Sequence, residues 1–247
     1  MDIPAYVLLS HDTALRRRMD VVANNLANVS TTGFKREQPM FEETLRRSEG
    51  TDAAARDVSF VLDFGAIHDT AEGAFTTTGN PLDLAIEGPG YLSVGLPDGS
   101  TAFTRAGNLA ILEDGRIVTP AGLPVLGDNG QPVTVPPEAQ GRLRIGRDGS
   151  VDGPDGPLGR LGITVFADER SVTPRGDGLF NGNGGRLLAP TETRLRSGGL
   201  EASNVQPVAE TTAMIQILRA YQSSQRMGDA LNDLRRTAIQ RLGAFRN

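Results

Sequence analysis

His11 and His68 are the only imidazoles in this 247-residue chain, which has no cysteine. A metal held by imidazole needs further ligands at short, regular spacing, such as a second His one helical turn away, and neither histidine has one. The missing cysteine excludes disulfides, zinc-thiolate sites and thiol nucleophiles. Asp148-Gly149-Ser150-Val151-Asp152-Gly153 places oxygens at positions 1, 3 and 5 and glycine at 6, as a calcium loop does. Where that loop needs a bidentate glutamate the chain has Gly159, and two successive hairpin turns account for the same residues. Glu42 and Glu43 are adjacent, so they do not aim at one substrate and read as a solvated face. Arg16-Arg17-Arg18 reads as an ion-paired helix flank. The chain contains neither a Gly-x-Ser-x-Gly elbow nor a Gly-Lys-Ser/Thr phosphate loop. Gly176-Asp177-Gly178 and Gly182-Asn183-Gly184-Gly185 lack dinucleotide spacing and are loops. These residues predict no catalytic site, no metal, no cofactor and no small-molecule substrate.

Composition narrows the partners further. Formal net charge is -5, from 25 Lys plus Arg against 30 Asp plus Glu, so no overall positive field attracts nucleic acid. Lys35 is the only lysine. The apolar run Ala5-Tyr6-Val7-Leu8-Leu9 follows acidic Asp2 and precedes Arg16-Arg17-Arg18, the reverse of a secretory signal, so an uncleaved N-terminus is expected. No stretch approaches the roughly 20 apolar residues of a membrane span, and no membrane insertion is expected.

The elements that remain are two helices around a turn-rich middle. Leu8, Leu15, Met19, Val22, Leu26 and Val29 fall on one stripe of a first helix running from about Tyr6 to Asn28. Asn24, Asn25 and Asn28 crowd its end, where amides suit hydrogen bonds across an interface or to the following loop. Gly33 is placed to take positive φ at the exit, and Phe34 to pack back. Residues 35–78 show no period and read as an extended connector, with Phe60-Val61-Leu62 and Gly73-Ala74-Phe75 as possible edge strands. From residue 79 to 199, Asp98-Gly99, Asp114-Gly115, Asn129-Gly130, Asp148-Gly149 and Asp177-Gly178 punctuate short apolar runs, as type I′ hairpin turns would. Ser203 or Asn204 can cap a second helix, with Pro207 in its first turn. Its stripe takes in Met227, Leu231, Leu234, Ala238, Leu242 and Phe245, with a bend or close contact expected at Gly228. The fold class is α+β: terminal helices paired as a coiled-coil-like layer (1–34 and 200–247) and a central antiparallel β domain, a small barrel or sandwich. Leu15, Met19, Val22 and Leu26 are expected to face Leu218, Leu231 and Leu234, within or between subunits.

Three longer phrases resemble one family. Ala23-Asn24-Asn25-Leu26-Ala27-Asn28-Val29-Ser30-Thr31-Thr32-Gly33-Phe34-Lys35 is similar to the N-terminal signature of the bacterial flagellar axial proteins, which build rod and hook. Thr78 to Leu92, with Asn80, Leu82 and Asp83, resembles the next block of the rod subgroup. Gly199-Leu200-Glu201-Ala202-Ser203-Asn204-Val205 resembles the C-terminal signature, continued by Met214, Arg219, Ala220, Tyr221 and Gln222. The resemblance implies a structural rod subunit that assembles with copies of itself and neighbouring rod proteins. It also implies export through the flagellar type III apparatus without signal cleavage, and a place in the periplasm. The modest β domain implies a proximal rod position. A distal rod subunit is the alternative within the family, and a secreted β-domain enzyme the alternative outside it.

Overall fold

A computed structural model describes the backbone of residues 3–47, 57–168 and 171–244, and the side chains of 6–40, 65–168 and 171–241. Helix α1 spans Ile3–Ala27 and helix α2 spans Pro207–Ala244. Among the described residues the ladders from Phe75 to Glu201 are antiparallel. The chain divides into two units: Met1–Ala27 with Glu37–Ile67 and Gln206–Asn247, and Asn28–Arg36 with His68–Val205.

In the first unit α1 packs against α2, and strands β1 (Glu37–Arg47) and β2 (Asp57–His68) form a two-stranded sheet. Much of the stretch read as an extended connector is thus strand, and the expected edge segment Phe60-Val61-Leu62 falls within β2. Apolar residues at alternate positions, Val58, Phe60, Leu62, Phe64 and Ala66, carried a period-2 signal that Val61, Gly65 and Ile67 obscured. The segment Gly50 to Arg56, the Phe60-Val61-Leu62, Glu42, Glu43 and Leu242 side chains, and Phe245 lie outside the described residues. Helix α2 continues through Gly228, where an added Cβ would meet open space.

The second unit is built on a six-stranded sheet. Its order is Val172–Gly176, Leu179–Gly182, Thr101–Thr104, Tyr91–Gly95, Ile163–Val165 and Arg186–Leu187. Alternation along Tyr91–Gly95 sends Leu92 and Val94 into an aliphatic core with Ile117, Val125, Val135, Val151 and Leu161. Tyr91 joins Phe103, Phe166, Val172 and Phe180 in a second, aromatic core. The five Asp-Gly and Asn-Gly pairs are all turns, but only Asp177-Gly178 has positive φ at both residues. At the other four the glycine alone is left-handed. There the Asp98, Asp114, Asn129 and Asp148 Oδ1 atoms accept the N–H groups of Ser100, Arg116, Gln131 and Ser150. The main chain closes each turn as well, the glycine N–H donating to the Leu96, Leu112, Gly127 or Gly146 carbonyl, so these are three-residue loops with one left-handed glycine and the first residue keeps ordinary φ. The calcium-like segment is such a turn leading into the Ser150–Gly153 and Gly156–Arg160 hairpin.

Candidate functional site

In the helical unit Leu15, Val22 and Ile217 are buried together, and Met19, Ala213, Met214, Ala220 and Tyr221 pack against them. Polar pairs fix the register. Arg16 Nη2 donates to the Tyr221 hydroxyl at 3.2 Å, and Gln225 Nε2 donates to Asp12 Oδ2 at 3.2 Å. Partners with rising numbers on α1 and falling numbers on α2 make the pair antiparallel. Asn25 closes the seam, its side chain fully buried. Its Oδ1 accepts the Glu37 N–H at 2.8 Å, while its Nδ2 donates to the Glu37 carbonyl at 2.9 Å and to Glu210 Oε2 at 3.3 Å. The amide pairs with Glu37 as a neighbouring strand would, and so anchors the start of β1 to both helices.

The inward face of α2 is not the one expected. Ile217 is 3% exposed whereas Leu218 is 43% and Leu234 67% exposed, with Leu231 half-buried. Moving one residue turns a helix face by roughly 100°. A stripe drawn through Leu218 therefore runs beside the true seam, because Ala213, Ala220 and Tyr221 are weaker apolar signals than the leucines. On α1, Leu15, Met19 and Val22 lie on the seam, Leu26 is half-buried and Asn24 is exposed.

In the β unit the signature residues converge on a polar collar. The Gly33 N–H donates to the Glu201 carbonyl at 2.8 Å, and the Asn204 N–H to the Phe34 carbonyl at 3.4 Å. Asn204 Oδ1 accepts the Arg36 N–H at 2.6 Å, and its Nδ2 donates to the Asp69 and Ala71 carbonyls at 2.9 Å each. Lys35, 2% exposed, donates to Glu201 Oε1 at 2.7 Å and to the Ala71 carbonyl at 2.7 Å. Glu201 Oε1 also accepts the Gly73 N–H at 2.9 Å, and Oε2 accepts Arg105 Nε at 3.1 Å. Arg105 spends its remaining donors on the Ile86, Gly88 and Gly90 carbonyls. Gly33 stands at φ 68°, where an added Cβ would collide with the Arg105 carbonyl. Burial pushes the Glu201 carboxyl up, but the Arg105 charge, the Lys35 ammonium and the Gly73 N–H outweigh it and hold the group below the ordinary glutamate range. Burial, with the Arg105 charge, pushes the Lys35 amine below the ordinary lysine range.

The remaining signature residues lie in local turns. Asp83 accepts the Thr78 hydroxyl at 2.6 Å and Asn80 Nδ2 at 3.0 Å, and Asn80 Oδ1 accepts the Leu82 N–H at 3.2 Å. Leu200 pairs with Thr76 in a two-stranded ladder, the Ser203 hydroxyl accepts the Val205 N–H, and Asn28 Oδ1 accepts the Thr31 hydroxyl. Sequence reasoning missed Lys35, Arg105, Glu37 and Glu210 as members of these networks. A lone lysine among 25 cations was the one signal available for Lys35. Among the described residues no group of three His, Asp or Glu could hold a metal ion, and no helix is long and apolar enough to cross a membrane.

Comparison with known proteins covers the same stretches. Residues 6–35 match the family model "Flagella basal body rod protein", residues 85–153 "Flagellar hook protein FlgE/F/G D1 domain" and residues 196–241 "Flagellar basal body rod FlgEFG protein C-terminal". The chain is 39% identical to flagellar basal-body rod protein FlgF of Caulobacter vibrioides over 98% of its own length and 99% of that protein. It is 32% identical to FlgF of Mesorhizobium japonicum, with 97% of each chain covered. Against FlgG of Bacillus subtilis it is 35% identical over 85% of its length and 88% of that protein.

Proposed function

This chain belongs to the family of flagellar basal-body rod proteins, and from that premise we propose how it serves there. It is a structural subunit of the rod, and its likeness favours FlgF over the distal-rod alternative. We infer that it occupies the proximal rod and polymerises through its terminal helices into a hollow drive shaft. In this reading it is exported through the flagellar type III apparatus with its N-terminus uncleaved, spans part of the periplasm and performs no catalysis. Apolar residues left uncovered on several sides of α2 are the observation that supports assembly through the helices. Ile215, Leu218, Met227, Leu234 and Ile239 remain exposed after α1 has covered Ile217. A helix with apolar residues on several sides is suited to more than one neighbouring helix.

The test is Leu234→Asp introduced on the chromosome, with motility and the yield of intact basal bodies as readouts. The lone subunit is expected to fold with unchanged circular dichroism, because Leu234 touches no core, while rods fail to extend past the position of this chain. Normal swimming with rods of normal length would exclude this face of α2 from the assembly.

A further inference from the structure

Four chain crossings separate the two units, at Ala27/Asn28, Arg36/Glu37, Ile67/His68 and Gln206/Val205. On the β-unit side they end at Asn28, Arg36, His68 and Val205, and the last three lie within or directly beside the collar. Residues 33–36 hang from residues 69–71 and 201–204 by main-chain and Asn204 hydrogen bonds. The Lys35–Glu201 contact joins residues 166 positions apart. None of these collar residues belongs to the aliphatic or the aromatic core. They are held by hydrogen bonds and ion contacts, each contributing little net stability, whereas the cores are held by apolar burial. Segments poor in apolar contacts open at free energies below that of global unfolding.

We propose that the collar is a latch that opens and closes as one cooperative piece, separately from the sheet that carries it, with Glu201 as its catch. Glu201 gathers four partners at one residue: its carbonyl holds Gly33, and its carboxylate holds Lys35, Gly73 and Arg105. Closing the latch fixes at one place three of the four points where the chain leaves the β unit, at Arg36, His68 and Val205. The N-terminal segment 33–36 therefore docks only after the residues around 201 are in place. The latch stands on these contacts and holds whether or not the chain assembles into a shaft.

Amide hydrogen exchange on the full chain tests it, with Glu201→Gln and Lys35→Met as variants. The reporters are the Gly33, Arg36 and Asp69 amides of the collar against the Val125, Val133 and Leu161 amides of the sheet unit. In either variant the collar amides are expected to exchange about tenfold faster or more, together, while the sheet amides keep their native rates. Lys35→Met leaves the Arg105–Glu201 pair balanced, so it serves if Glu201→Gln does not fold. Unchanged collar exchange in both variants would show that the ion cluster is no catch. Acceleration of collar and sheet amides by one common factor would show a single cooperative unit and no latch.

Discussion

At Glu201 the charge balance decides which substitutions the collar tolerates. One carboxylate faces two cations, both with side chains almost fully buried. Glu201→Ala leaves Lys35 and Arg105 buried without their counter-charge, and removal of one partner from a buried pair costs about 3–5 kcal/mol. Lys35→Met removes the surplus charge and keeps Arg105 paired, so it is expected to cost about 1.5–3 kcal/mol, the worth of a hydrogen bond involving a charged group. Chemical denaturation of the two variants checks the order, and equal losses would contradict the charge argument. Acid should act through the same carboxyl. A glutamate whose folded pKa is depressed stabilises fully above its unfolded value, about 4.3, and that stability is lost as pH falls through the lower folded value. Protection of the collar amides, taken relative to the intrinsic slowing of amide exchange in acid, is therefore expected to stay flat from neutrality down to about pH 4 and to fall only below it.

Gly33 combines positive φ with a close backbone approach in the collar. Positive φ disfavours a β-branched residue by about 1–2 kcal/mol, and here the Cβ would also meet the Arg105 carbonyl. Gly33→Val is expected to release residues 33–36 while the aliphatic core stays folded, seen as lost protection at position 33, Arg36 and Asp69 with the Val125, Val133 and Leu161 amides unchanged. Loss of the entire β unit on this substitution would place Gly33 in the core's folding unit and not in a docked segment.

The elements show why some of this was legible and some was not. Helix existence, the antiparallel middle and its turn positions follow from local signals: a 3.5-residue stripe, Asp-Gly pairs and short apolar runs. The phase of α2 did not follow, because Ile217 and Leu218 are equally apolar and only the partner helix distinguishes them. The collar was illegible for a related reason. Lys35, Arg105 and Glu201 are scattered over the chain, and nothing in their local sequence says that they meet. His68 was legible only as an imidazole without metal-ligand spacing, and its packing was not: it is buried and stands edge-on to Phe180 at 5.0 Å between ring centroids. His68→Gln is accordingly expected to lower the melting temperature of the chain, while His11→Gln, at an exposed position, leaves it unchanged. For the helical pair, Ile217→Asp should unfold the helices of the lone subunit and Leu218→Asp should not, by circular dichroism at matched concentration. Equal effects would mean that the seam passes between the two positions.

On the scale of the whole molecule the two helices are mismatched in length, 25 residues against 38. Pairs at Asp12–Gln225, Arg16–Tyr221 and Asn25–Glu210 keep a nearly constant sum of positions. At the same 1.5 Å rise in both helices, Ile3 stands opposite about residue 234. The last turns of α2, with Ile239 70% exposed, therefore extend beyond the described start of α1. A helical stretch without a packing partner is marginal in water, since most helix stability comes from tertiary contacts. In a polymer the same stretch has neighbours, and binding that favours the folded state raises its stability with concentration. Amides of residues 235–244 are thus expected to exchange within seconds in the dilute subunit and to become protected as concentration is raised through assembly. The collar and sheet amides should not respond to concentration at all. Protection of residues 235–244 in the dilute monomer would mean that the chain covers its own helix end, and that the length mismatch is not what a neighbouring subunit completes.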